Sequence, residues 1–156
     1  MRARTYVDTS VIGGCEDDEW REHSNRLIDA FVRDERVMVI SDVTLDELSG
    51  APASVRAHLS RIPAGSLEAL KLGTEAIDLA EAYISAGVVV PKLRPDAQHI
   101  AIATVARVDV LVSWNFRHIV NLDRIHGFNA VNLRGGYPLL EIRSPREVWR
   151  DENEDI

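Results

Sequence analysis

Residues 100–115, "IAIATVARVDVLVSWN", carry two hydrophobic patterns back to back. Ile100-Ala101-Ile102-Ala103 is apolar nearly all round a helical wheel, which places that helix centrally. Val110-Leu111-Val112 shows no polar residue on either alternate position, so both faces of that strand are covered. A doubly buried strand beside a central helix predicts an α/β domain whose mainly parallel sheet is flanked by helices. Ligand sites in such sheets gather at the carboxyl ends of the strands, which here are followed by Ser113, Trp114 and Asn115.

Working outward, the same alternation recurs. Thr5-Tyr6-Val7 reads as the first strand and runs straight into Asp8. Trp20, Leu27, Ile28, Phe31 and Val32 recur at helical spacing, and Val37 to Ile40 reads as the second strand. Ser41 is a good N-cap for a helix that faces the core through Leu45 and Leu48 and ends at Gly50. Pro52 opens a short helix that stops near Pro63. Leu67 to Leu72 suits a third strand, and Thr74 caps a helix with the stripe Ala76, Ile77, Ala80, Tyr83 and Ile84, closed by Gly87. Pro95 fits the first turn of the central helix. Phe128 to Leu133 suits a further short strand. Ser144-Pro145-Arg146-Glu147 is a capping box with proline at the first helical position, so a last short helix is expected there.

The chain has 156 residues, 46% of them hydrophobic and 28% charged, which suits one globular domain spanning 1–156. No apolar run approaches the ~18 residues that a membrane span needs, and Met-Arg-Ala-Arg leads into the first strand without an apolar signal region. The lone Cys15 excludes an internal disulfide and a Cys-rich metal site, so a cytoplasmic location is the expectation. The net charge of −7 argues at first against a nucleic-acid partner. Glu16 to Glu19 hold −4, however, and Asp151, Glu152, Glu154 and Asp155 of the acidic tail another −4, which leaves the rest of the chain at +1. Global charge therefore decides nothing, and both clusters read as a solvated loop and a frayed tail.

Three acids converge on the carboxyl edge of this expected sheet. Asp8 ends the first strand, Glu47 lies almost two turns into the helix that leaves the second, and Asp96 lies in the first turn of the central helix. Each has an ordinary explanation: Asp8 as an N-cap, Asp96 as a complement to the helix dipole, Glu47 as a solvated helix residue. Their convergence with Ser113 and Asn115 favours an oxygen-lined pocket, and hard oxygen ligands without thiolates select Mg²⁺ or Mn²⁺.

Four segments carry a resemblance: "YVDTSVIGG" (6–14), "ISDVTLDEL" (40–48), "PDAQHIAIATVARVDVLVSWNFRHI" (95–119) and "FNAVNLRGGYPLLEIRSPREV" (128–148). Together they resemble a PIN domain of the VapC-like toxin class from type II toxin–antitoxin systems, over about residues 3 to 148. The resemblance implies a Rossmann-like three-layer sandwich and Mg²⁺- or Mn²⁺-dependent RNA hydrolysis that leaves 5′-phosphate and 3′-hydroxyl ends. It also implies a cognate antitoxin and a homodimer. Carried over by motif, Asp8, Glu47 and Asp96 are the metal-binding acids, Asp46 being a weaker candidate because adjacent helix residues point about 100° apart. Thr9, Ser10 and Ser113 are supporting hydroxyls. Where many relatives carry a fourth acid, this chain has Asn115, which can still ligate or orient water through its carbonyl oxygen but adds no charge.

Lys92, Arg94 and Arg117 are candidate phosphate contacts, against ordinary surface charge, and Trp114 is either a base-stacking platform or core. His99 reads as a satisfied core histidine, and His118 and His126 lack metal-ligand spacing. Tyr83 and Ile84 could serve self-association or the monomer core. Because of Asn115, a catalytically silent RNA- or protein-binding module of the same fold stands as the alternative to a nuclease. A haloacid-dehalogenase-type phosphatase fits poorly because Ser10 stands where that pattern needs a second Asp, and Gly13-Gly14 lacks a dinucleotide-binding frame.

Overall fold

A computed structural model describes residues 1–149, so the acidic tail at about 150–156 lies outside the described residues. Five strands form one sheet: β1 (Ala3–Val7), β2 (Arg36–Ser41), β3 (Leu67–Leu70), β4 (Val110–Val112) and β5 (Ile142–Arg143). They lie in the order β3-β2-β1-β4-β5, and every pairing is parallel. Seven α-helices are described: α1 (Thr9–Gly14), α2 (Arg21–Val32), α3 (Asp42–Ser49), α4 (Ala53–Leu59), α5 (Thr74–Ser85), α6 (Arg94–Val105) and α7 (Leu122–Arg134).

Strand alternation sorts the core into two layers. Tyr6, Val39 and Leu111 point to one face and pack with Tyr83, Ile100 and Phe128 of α5, α6 and α7. Val7, Met38, Ile40, Val110 and Val112 point to the other and pack with Val11, Leu27 and Phe31 of α1 and α2. The register sets Tyr6 beside Val39 on one side and Leu111 on the other, so β1 is the central strand. Because successive side chains of a strand face opposite ways, strands in the middle of this sandwich must be apolar at every position. The fold is therefore the expected three-layer α/β sandwich.

Several local expectations change. Phe128 to Leu133 is part of α7 and not a strand: Asn121 Oδ1 accepts from Arg124 N–H at 3.0 Å and starts the helix upstream, and Phe128, Val131 and Asn132 then share its buried face. The fifth strand is instead the two-residue β5. On α3 the buried residues are Val43, Thr44 and Leu48, while Leu45 is exposed. Gly73 occupies the N-cap of α5 and Thr74 its first turn. Both capping-box bonds of Ser144 and Glu147 form, at 3.1 and 3.3 Å, but the described residues 145–149 make turns and not a helix. Tyr83 is fully buried in the monomer and donates to Asn132 Oδ1, so it is core and not an association surface. Among the described residues no helix is long and apolar enough to cross a membrane.

Candidate functional site

The central strand delivers Asp8 to the carboxyl edge of the sheet. The backbone turns there into α1, with Asp8 at its N-cap, yet the carboxylate does not cap the helix. Ser10 Oγ donates to its Oδ1 and Ser113 Oγ to its Oδ2, each at 2.6 Å. Ser10 Oγ also accepts from Trp114 N–H at 2.9 Å, and Ser113 Oγ accepts from Asn115 N–H at 2.9 Å, which ties the end of β1 to the end of β4. Asp8 is only 5% exposed. Burial pushes its carboxyl above the ordinary aspartate value, against the pull of His99 and the two serines, and Glu47 adds repulsion.

Asp96 enters from the first turn of α6. Its carboxyl is also raised, first by burial and then by the charges of Asp8 and Glu47, while His99 and His118 act the other way. Among the described residues no Lys or Arg pairs with Asp8 or Asp96. Two desolvated carboxylates that repel one another and lack a Lys or Arg partner suit a hard cation, and each Asp8 oxygen keeps acceptor capacity beyond its serine bond.

Glu47 stands differently. Its side chain is 39% exposed, and Oε1 accepts from His99 Nε2 at 2.5 Å. Burial raises its carboxyl, but the bond to His99 and that ring's charge outweigh it and leave the group below the usual glutamate value. The Thr9 hydroxyl lies beside Glu47 yet is buried without meeting hydrogen-bond geometry with any partner. As the side chains stand, no three His, Cys, Asp or Glu among the described residues are grouped to hold an ion. The structure brings Asp8, Asp96 and Glu47 within electrostatic reach of each other and leaves Glu47 turned to His99.

The remaining residues divide. Asn115 Oδ1 accepts from His118 N–H at 2.9 Å and its backbone carbonyl from Ile119 and Val120, so it caps the turn after β4. Trp114 is 6% exposed, stacks on Trp20 with centroids 4.3 Å apart and donates through Nε1 to Ser24 Oγ at 2.8 Å. It is core, and offers no free face to a base. Arg94 is held by Glu81 at 2.6 Å, joining α6 to α5. Lys92 and Arg117 are exposed and form no ion pair among the described residues.

The polar contacts behind Glu47 were not read from the sequence. His99 is 1% exposed, and its Nδ1 meets the Tyr6 hydroxyl at 2.7 Å, which in turn meets Ser41 Oγ at 2.6 Å. The available signal was a histidine on a helix buried nearly all round, since both of its ring nitrogens then need partners.

No family model matches the chain, and no curated protein matches it in sequence. Solved structures do match. A chain in the structure of VapBC2 from Rickettsia felis bound to a DNA fragment from their promoter superimposes with a TM-score of 0.55 and 11% identity, covering 90% of this chain and 98% of that one. VapC20 from Mycobacterium tuberculosis, a sarcin-ricin-loop-cleaving toxin, superimposes with a TM-score of 0.51 and 15% identity, covering 73% of this chain and 92% of that one. At these identities the likeness is one of fold: the chain has the PIN-like α/β sandwich of these two structures.

Proposed function

We propose that the chain is a Mg²⁺- or Mn²⁺-dependent endoribonuclease, the toxin of a type II toxin–antitoxin pair, working with a cognate antitoxin and as a homodimer. The observation that carries this reading is Asp8: a buried carboxylate at the carboxyl end of the central strand, within electrostatic reach of Asp96, with serine donors but no Lys or Arg partner among the described residues. Such a group is costly unless a cation joins it. The fold neighbours add support, one a VapBC assembly on promoter DNA and the other a toxin that cleaves the sarcin-ricin loop.

Asp8 and Asp96 would hold the cation, with Glu47 contributing through the oxygen that His99 leaves free. Bound there, a divalent ion supplies Lewis acidity that activates water and offsets phosphodiester charge. The chain's own contribution is preorganisation. Ser10 and Ser113 fix both oxygens of Asp8, so that carboxylate need not reorient when charge arrives. Lys92 and Arg117 are the exposed cations available to phosphates, while Arg94 must leave Glu81 to take part.

Asn115 favours a second reading, a silent RNA- or protein-binding module, because its side-chain oxygen caps a turn and adds no charge to the site. One experiment separates the two. Structured and unstructured RNA are incubated with the protein, Asp96→Asn and Asn115→Asp in Mn²⁺, Mg²⁺ or EDTA, and new 5′ ends are mapped. The nuclease reading expects metal-dependent cutting that falls at least about 100-fold in Asp96→Asn. Cutting only by Asn115→Asp supports the silent module, and no cutting by any form refutes the nuclease.

A further inference from the structure

The proposed chemistry leaves one line of buried polar groups unused, and that line runs from Glu47 into the core. His99 Nε2 meets Glu47 Oε1 at 2.5 Å, His99 Nδ1 meets the Tyr6 hydroxyl at 2.7 Å, and that hydroxyl meets Ser41 Oγ at 2.6 Å. Tyr6, Ser41 and His99 are at most 1% exposed, whereas the Glu47 side chain is 39% exposed. The chain thus joins a central strand, the cap of α3 and the central helix to a single carboxylate at the rim.

Core filling alone does not account for this arrangement. Apolar side chains of the same volume would pack there without desolvating a phenol, a hydroxyl and an imidazole. What the line does accomplish is orientation. An ionised carboxylate only accepts hydrogen bonds, so Nε2 is the donor to Glu47. With Nε2–H committed to Glu47, the other contacts follow in line: Nδ1 meets the Tyr6 hydroxyl, and that hydroxyl meets Ser41 Oγ. The Tyr6 and His99 rings meet edge to face at 68°, which also limits rotation of the imidazole. Glu47 itself is long and half in solvent; the Thr9 hydroxyl lies beside its carboxylate, and His99 makes the hydrogen bond of full geometry to it.

We propose that His99 is a positioning residue whose Nε2–H fixes one oxygen of Glu47 and leaves the other for the cation, with Tyr6 and Ser41 locking the imidazole from behind. The inference rests on the divalent-cation reading of that site. Its consequence is that cation affinity depends on a donor one turn along α6 from Asp96, although that donor never touches the cation.

The test titrates Mn²⁺ alone into the full chain and follows free Mn²⁺ by electron paramagnetic resonance, with circular dichroism to confirm folding. His99→Leu removes the donor and should weaken Mn²⁺ binding about 10–100-fold, the usual loss when a partner that orients a metal ligand is removed. His99→Gln can place an amide N–H where Nε2 lies and should restore most of that affinity. Tyr6→Phe keeps the ring and should weaken binding in the same direction by a smaller factor. Mn²⁺ affinity unchanged in a folded His99→Leu overturns the positioning role while leaving the metal reading standing. Should His99→Leu not fold, Tyr6→Phe decides: weaker binding with unchanged dichroism supports the chain of bonds, and unchanged binding overturns it. If the wild type binds Mn²⁺ no better than Asp96→Asn, the metal reading fails and the positioning role falls with it.

Discussion

Asp96 is the residue where stability and proposed function oppose one another most directly. Its carboxyl is raised by burial and by the neighbouring acids, so the folded protein binds that proton more tightly than the unfolded chain does. Ionised Asp96 therefore costs stability above its folded pKa, and the cost disappears as pH falls through that value to the ordinary aspartate range. Without metal, Asp96→Asn should melt above the wild type at pH 7, and the gap should close near pH 4; calorimetry in EDTA at the two pH values measures this. A lower melting temperature at pH 7 would refute the electrostatic account. Cys15 makes a simpler case: burial raises its thiol to about 12, so it stays protonated at pH 8 and should react with a thiol reagent only after denaturation. Gly14 is sterically required, since a Cβ there would lie 2.5 Å from Ser24 Oγ and 2.8 Å from Trp114 Nε1. Gly14→Ala should break the Trp114–Ser24 bond and cost about 1–3 kcal/mol, readable by urea denaturation.

At the scale of elements, caps and packing decide where the periodic patterns begin and end. Asn121→Ala removes the acceptor for Arg124 N–H and should destabilise the protein by about 1 kcal/mol. Because α7 carries Phe128 and Val131 into the core, the loss should appear in global unfolding and not as fraying of one end. The pair between Arg94 and Glu81 ties α6 to α5 at the surface, where screening makes such bonds worth little, so Arg94→Ala should leave the melting temperature almost unchanged. A fall in RNA binding by that variant, measured at low salt, would then report a substrate role free of any folding defect.

The described residues form one sheet covered on both sides, from which cooperative unfolding is expected. Leu111 is fully buried in β4 against α6 and α7, and Leu111→Ala should cost about 2–5 kcal/mol. Chemical unfolding followed by tryptophan fluorescence, which reports Trp20, Trp114 and Trp149 on the opposite face, should shift together with far-ultraviolet dichroism. Separate transitions would show that the two faces unfold independently.

The α/β class and the parallel sheet were legible in residues 100–115, because strands buried on both faces must be apolar at every position and a chain segment records its own hydrophobicity. The positions of Asp8 and Asp96 followed from the same logic, one at a strand end and the other in the first turn of a central helix. The α7 helix was misread as a strand at Phe128 to Leu133 because a short apolar run fits either period until its cap, seven residues upstream at Asn121, is known. Side-chain commitments lay beyond local pattern altogether. Trp114 could have faced solvent or core, and only the approach of Trp20 and Ser24 from α2 and its entry turn buries it. Asn115 became a cap because the chain after β4 turns back over it. Local pattern was enough to place the first, second and fourth strands and the central helix, and with them Asp8 and Asp96 at one edge of the sheet. That Glu47 faces His99 depends on long-range packing, because the bond joins residues 52 positions apart where α3 lies on α6.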